Sequence, residues 1–333
     1  MTTHQHEPVT FGQTPLRIED VLALANRQVP TRLQDDAEYR ERIAKGARFL
    51  DSLLDKEGVI YGVTTGYGDS CVVAVPLEHV EALPRRLYTF HGCGLGKMLD
   101  AQATRAVLAA RLQSLCHGVS GVRVELLERL QGFIAHDILP LIPEEGSVGA
   151  SGDLTPLSYV AATLSGEREV MFNGERRLAA DVQRELDWTP LVLRPKEALA
   201  LMNGTAVMTG LACLAYARAD YLLKLATRIT ALNVVALQGN PEHFDERLFA
   251  AKPHPGQMQV AAWLRQDLAI DAPTAPLHRL QDRYSLRCAP HVLGVLADSL
   301  SWLRGFIEVE LNSANDNPII DAEEERVLHG GHF

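Results

Sequence analysis

Apolar positions along the chain change their spacing several times, and each change marks an element. Ile18 to Ala25 predicts a first short helix. From Asp35 to Leu54, the apolar residues Ile43, Phe49, Leu50, Leu53 and Leu54 recur among charged ones, the pattern of a partly amphipathic helix that Gly58 stops. Helical signal returns from His79 to His91, breaks at Gly92-Cys93-Gly94, and resumes over Ala101 to Leu115 and Val122 to His136. Between Glu169 and Leu178 the pattern predicts two short strands turning at Asn173-Gly174. Beyond Pro190 and Pro195, two long apolar patterns, Thr205 to Leu237 and Ala289 to Leu311, flank a shorter one from Gly256 to Leu268.

Two stretches interrupt this helical pattern. Val59 to Gly68 combines three glycines with β-branched residues and reads as a structured loop. Glu145 to Gly152 is also glycine-rich, and Asp153 follows where it would cap the next helix. The long helices are apolar almost all round, so they belong inside a large bundle, one completed by other subunits. The expected fold is mainly α: a long-helix bundle core beside a smaller, mixed N-terminal region. Residues 1–200 form the expected N-terminal domain with the glycine-rich loops, and residues 201–333 a central helical bundle.

Composition narrows the function classes. The chain has 333 residues, 47% of them apolar, which suits one large or two fused domains. A formal net charge of -10 argues against nucleic acid and against anionic membrane surfaces as partners. Arg218, Asp220, Lys224 and Arg228 interrupt the first long apolar pattern, which favours a buried helix over a membrane span. Five dispersed cysteines without CxxC spacing and an N-terminus without an apolar signal core point to a reducing, cytoplasmic setting. The histidines form no HExxH motif, so no metal is expected, His329 and His332 included.

Ala150-Ser151-Gly152 places a serine between two residues of little bulk, where the backbone bends sharply. On composition alone this is a loop leading to a capped helix. The segment Gly146-Ser-Val-Gly-Ala-Ser-Gly-Asp-Leu-Thr-Pro-Leu-Ser158, however, resembles the signature of the histidine and phenylalanine/tyrosine ammonia-lyase family. Four further segments resemble the same family in the same order: Tyr61-Gly-Val-Thr-Thr-Gly-Tyr-Gly68, Lys196-Glu-Ala-Leu-Ala-Leu-Met-Asn-Gly-Thr205, Gln281-Asp-Arg-Tyr-Ser-Leu-Arg-Cys288 and Asn312-Ser-Ala-Asn-Asp-Asn-Pro318.

The resemblance implies a chemistry. Ala150, Ser151 and Gly152 would cyclise with loss of two waters to a methylidene-imidazolone, an electrophile for the substrate amine. Tyr61 would be the general base that takes the β-proton. Arg287 offers a two-pronged donor for the substrate carboxylate. Asn203, Gln281 and Tyr284 resemble the family's groups around the electrophile and the carboxylate, and Phe333 its neighbouring aromatic residue. Asn315, Asp316 and Asn317 are expected either to terminate the preceding helix through side-chain hydrogen bonds or, as the alternative, to support the active site from behind its contacting residues.

Phe90-His91 falls where the family reads the substrate ring. It matches none of the family's usual pairs, Ser-His, His-Leu or Phe-Leu. His91 would hydrogen-bond a phenol or an imidazole, which ranks tyrosine ahead of histidine and both ahead of phenylalanine. Tyr159, where many relatives carry histidine, is expected to act structurally. The resemblance further implies a homotetramer with shared active sites and a C-terminal part carried by a separate chain or fragment. Three alternatives stand beside a tyrosine lyase: a histidine ammonia-lyase giving urocanate, an aminomutase using the same electrophile, and a catalytically silent scaffold.

Overall fold

The computed structural model describes residues 7–56, 58–147, 152–271 and 280–331. The chain divides into two compact units, Met1–Leu214 with Glu308–Phe333, and Ala215–Ile307. The fold is mainly α, with four small sheets among the described residues, around the helices of the first unit.

At the centre of the first unit lies the Ala101–Leu115 helix, buried almost all round. Its start is set locally, because the Asp100 carboxylate accepts from the Ala103 N–H at 2.7 Å. Its small residues admit neighbouring backbone. A Cβ at Gly210 would stand 2.8 Å from the Ala106 carbonyl carbon, so glycine is what lets that segment approach. The Leu154–Leu164 helix is buried over its whole length. Leu50, Ile60, Val63, Val80 and Ile320 form a smaller cluster beneath the Val59 to Gly68 loop.

The strands expected between 169 and 178 are present as Glu169–Phe172 and Glu175–Leu178. They turn through Asn173 and Gly174 at φ 53° and 80°, the left-handed pair a tight hairpin needs. Leu139–Pro140 pairs with the first of them to make three strands.

Two expectations need correction. The helix read from His79 to His91 is two helices, Leu77–Val80 and Leu83–His91. Pro84 lies in the first turn of the second, and in a continuous helix its ring would strike the carbonyl of residue 80. Asp153 occupies the N-cap position of Leu154–Leu164 without a side-chain bond to it. Its carboxylate instead accepts from the N–H groups of Val207 at 2.8 Å and Met208 at 3.0 Å, in the first turn of the Ala206–Ala236 helix.

In the second unit, Leu223, Val234, Phe244, Val260, Leu264 and Leu300 form the core. Tyr221, Leu222 and Leu232 on one long helix, and Val292, Val295, Trp302 and Phe306 on the Ala289–Leu311 helix, remain exposed. No helix among the described residues is long and apolar enough to cross a membrane.

Candidate active site

Tyr61 sits in a loop tied down by its own threonines. The Ile60 N–H donates to Thr64 Oγ1 at 2.8 Å, the Gly62 N–H donates to Thr65 Oγ1, and Thr64 Oγ1 donates to the Gly58 carbonyl. Gly62 has a φ of +66°, and a Cβ there would lie 2.7 Å from Leu199. The half-buried Tyr61 turns its phenol oxygen toward Gly68, whose N–H donates to it at 2.8 Å. Tyr67 meets Tyr61 edge to face, with ring centroids 6.5 Å apart. Burial, and then the neighbouring Tyr61, push the Tyr67 phenol well above its ordinary range, so Tyr67 stays protonated.

Facing glycines define a second place. Gly152 has a φ of +70°, and a Cβ on it would fall 2.2 Å from the Gly204 carbonyl oxygen. That oxygen accepts from the Asp153 N–H at 2.8 Å, so the backbones at 152–153 and 204 run in direct contact. Gly204 is equally constrained on its other side, where a Cβ would meet Arg111 Nη1 and the Asn315 carbonyl at 2.5 Å. Asn203 is buried; its Nδ2 donates to the Asn317 carbonyl at 3.0 Å. Its Oδ1 is buried without a hydrogen-bond partner among the described residues.

Charged groups lie buried around these glycines. Lys196 and Asp316 form an ion pair at 2.5 Å with neither side chain exposed. Burial pulls the Lys196 ammonium down, and Asp316 opposes that pull. Arg111, also fully buried, donates from Nη1 to the Asn203 carbonyl at 2.9 Å. Burial brings its guanidinium down to about 10 against the opposing charges of Asp316 and Asp153.

The run Asn315 to Asn317 is therefore not the helix stop expected of it. Asn312 does that work, donating from Nδ2 to the Glu308 carbonyl at 2.8 Å. Asn315 bonds Ser114 and Glu310, Asp316 pairs with Lys196, and Asn317 Oδ1 accepts from the Gly330 N–H. Tyr159 accepts from the Gly94 N–H at 3.1 Å under the Arg168 guanidinium.

The first unit thus brings Gly152 and Asn203 together and carries Tyr61, Phe90 and His91 as well. Phe90 is 78% exposed, and its ring meets the half-buried His91 edge to face at 5.2 Å. Burial lowers the His91 imidazole below its ordinary value, so the ring is neutral at pH 7. Phe90 also lines a cavity of about 880 Å³ with Tyr88, Arg85, Glu167 and Leu191.

Gln281, Tyr284 and Arg287 belong to the second unit. Arg287 donates from Nε to the Asp282 carbonyl at 2.8 Å, and its guanidinium lies 4.2 Å from the Tyr284 ring centroid. The Asp282 N–H donates to His243 Nε2 at 2.9 Å, and the Asn240 N–H donates to the Asp282 carboxylate. Gln281 and Tyr284 are exposed. Ala150, Ser151 and Phe333 lie outside the described residues.

A family model described as aromatic amino acid lyase matches residues 16–333. The chain belongs to that family. It is 38% identical to a histidine ammonia-lyase of Bacillus velezensis over 303 residues, covering 90% of this chain and 59% of that protein. It is 40% identical to a histidine ammonia-lyase of Chloroflexus aurantiacus, covering 98% of this chain and 64% of the relative. Among solved structures, a tyrosine aminomutase from Streptomyces globisporus aligns with a TM-score of 0.86 at 36% identity, covering 98% of this chain and 65% of that one. The chain thus spans roughly three-fifths of the length of the curated relatives it matches.

Within this family member, the sequence pointed to no role for Arg111 or Lys196, and offered Asp316 only as part of a helix stop. One signal was available for Arg111. It is the sole charge in the Ala106 to Leu115 run of a helix whose other residues there are apolar apart from Gln113 and Ser114. Lys196 and Asp316 gave no comparable signal, because each sits in a polar-looking stretch and is buried only by the segments that meet over it.

Proposed function

We propose that this aromatic amino acid lyase catalyses non-oxidative elimination of ammonia from an aromatic L-amino acid, releasing the trans-arylacrylate. The observation that carries the reading is the contact of Gly152 with Gly204 beside the Asn203 Oδ1, which has no partner among the described residues. A backbone at 152 with φ +70° and no room for a side chain suits a segment that closes on itself, and a buried, unbonded amide oxygen suits a polar neighbour. These residues fit a methylidene-imidazolone built from Ala150, Ser151 and Gly152. When formed, that group supplies an electrophile that converts the substrate amine into a better leaving group.

The chain's own side chains would do the rest. Tyr61 takes the β-proton at its phenol oxygen, where the Gly68 N–H already donates. Arg287, held at Nε by the Asp282 carbonyl, directs its remaining fork at the substrate carboxylate. Asn203, Gln281 and Tyr284 provide amide and hydroxyl groups where negative charge develops. Phe90 and His91 meet the ring, and Phe333 belongs to the same set. The apolar faces left exposed on the two long helices support assembly with further copies of the chain into a homotetramer with shared sites. Dispersed free cysteines, two of them exposed, support a reducing cytoplasmic setting.

For the ring itself, the relatives' names favour histidine over the tyrosine ranked first from Phe90-His91. The likeness to a tyrosine aminomutase supports a second reading, in which the amine returns to the β-carbon. Separate incubations with L-histidine, L-tyrosine and L-phenylalanine, followed by arylacrylate absorbance and product identification, test both. Arylacrylate and free ammonia support the lyase. A β-amino acid replaces it with the mutase. An intact mass that retains both waters, with no product from any substrate, leaves only a silent scaffold of this fold.

A further inference from the structure

Arg111 has no exposed surface, yet only one of its donors is used among the described residues: Nη1 bonds the Asn203 carbonyl, while Nε and Nη2 have no partner there. A buried guanidinium so sparsely bonded is costly, and a Leu or Met would fill the same buried place without that cost. What the cation touches gives it a use. It grips the Asn203–Gly204 backbone from one side, while Gly152 and Asp153 lie against the other side of Gly204. The carboxylates of Asp153 and Asp316 supply the opposing charge, and the Lys196 ammonium is close enough to be felt as well.

We infer that Arg111 is a positioning residue for ring closure: by fixing the Asn203–Gly204 backbone, it holds Gly152, whose nitrogen is the nucleophile, in place. The inference rests on the electrophile reading above. In ring closure the Gly152 nitrogen forms a bond to the Ala150 carbonyl carbon. The carbonyl oxygen departs as water with the amide protons of Ser151 and Gly152. The Ser151 hydroxyl then leaves with the Ser151 α-proton as a second water, giving the exocyclic methylidene. No oxidant or co-reactant is needed. Arg111 takes no part in these bonds; it fixes the backbone against which Gly152 rests, and misplacement of a nucleophilic nitrogen by about 1 Å slows closure on the order of 100-fold.

The test is the mass of the 150–152 peptide from purified full chain, sampled with time after synthesis, for the parent, Arg111→Met, Arg111→Lys and Leu130→Ala. Leu130, buried in the Val124–Ala135 helix, provides a destabilised control outside the Arg111 network. The parent is expected to lose both waters promptly. Arg111→Met is expected to remain helical by circular dichroism but to lose them roughly 100-fold more slowly. Arg111→Lys, with the charge but not the fork, falls between, and decides the matter if the Met variant does not fold. Leu130→Ala is expected to lose both waters like the parent even though its melting temperature falls. Loss of both waters at the parent's rate in the Arg111 variants overturns the inference while leaving the electrophile standing. Equal slowing in Leu130→Ala overturns it too, by reducing Arg111 to a stability effect. A parent that keeps both waters removes the electrophile reading and this inference together.

Discussion

Lys196 Nζ stands 2.5 Å from Asp316 Oδ2, and neither side chain has any exposed surface. Removing one member leaves the other as an unpaired charge in the interior. Asp316→Leu is therefore expected to lower unfolding stability by about 3–5 kcal/mol. The double change Lys196→Met with Asp316→Leu should recover much of that loss, because no charge is then stranded. Urea midpoints of the two singles and the double decide it: additive losses would show that the pair is not coupled.

Asp153 offers a pH-dependent counterpart. Burial raises its carboxyl above the ordinary 3.8, outweighing the lowering by the N–H groups of Met208 and Val207 and the nearby Arg111. The folded chain therefore holds this proton more tightly than the unfolded chain. The resulting stabilisation is complete below 3.8 and is lost as pH rises through the folded value. Asp153→Asn has no such titration. The stability of the parent relative to this variant should increase as pH falls through the raised folded value toward 3.8, as followed by urea midpoints. The opposite slope would mean that the helix N-terminus of Ala206–Ala236 outweighs burial.

Tyr61→Phe separates the proton transfer from the making of the electrophile. The change removes the oxygen that accepts from the Gly68 N–H and costs about 1 kcal/mol of stability. Turnover is expected to fall roughly 100- to 10,000-fold. The two-water mass loss should stay complete, since the Gly152–Gly204 contact is untouched. A variant with near-parental turnover would remove Tyr61 from the role of base.

Arg287 depends on its neighbours for aim. His243 accepts the Asp282 N–H, and Asp282 in turn holds Arg287 Nε through its carbonyl. Arg287→Lys keeps a charge but loses the planar fork, and KM should rise about tenfold with a smaller change in kcat. His243→Leu is expected to move KM in the same direction, and His243→Gln, which restores an acceptor, to move it less. Steady-state kinetics on the assembled protein would show it; a kcat loss without a KM change would place these residues elsewhere in the reaction.

Much of this molecule follows from local chemistry in the sequence. The helix Ala101–Leu115 and the helix Ala289–Leu311 run where periodicity predicts, and the 169–178 hairpin turns at Asn173-Gly174, because spacing, capping and left-handed turn residues act within a few positions. The five family motifs likewise carry the lyase family in the chain itself. What the sequence did not disclose is which distant groups meet. Arg111 reaches Asn203 across 92 positions, Lys196 reaches Asp316 across 120, and Asp153 caps a helix 54 residues away rather than its own. A buried charge or a bare glycine takes its partner from whichever backbone packs against it. That packing is decided by tertiary contacts, which is why the glycine pair 152 and 204 reads as two ordinary loop residues in the chain and as one junction in the fold.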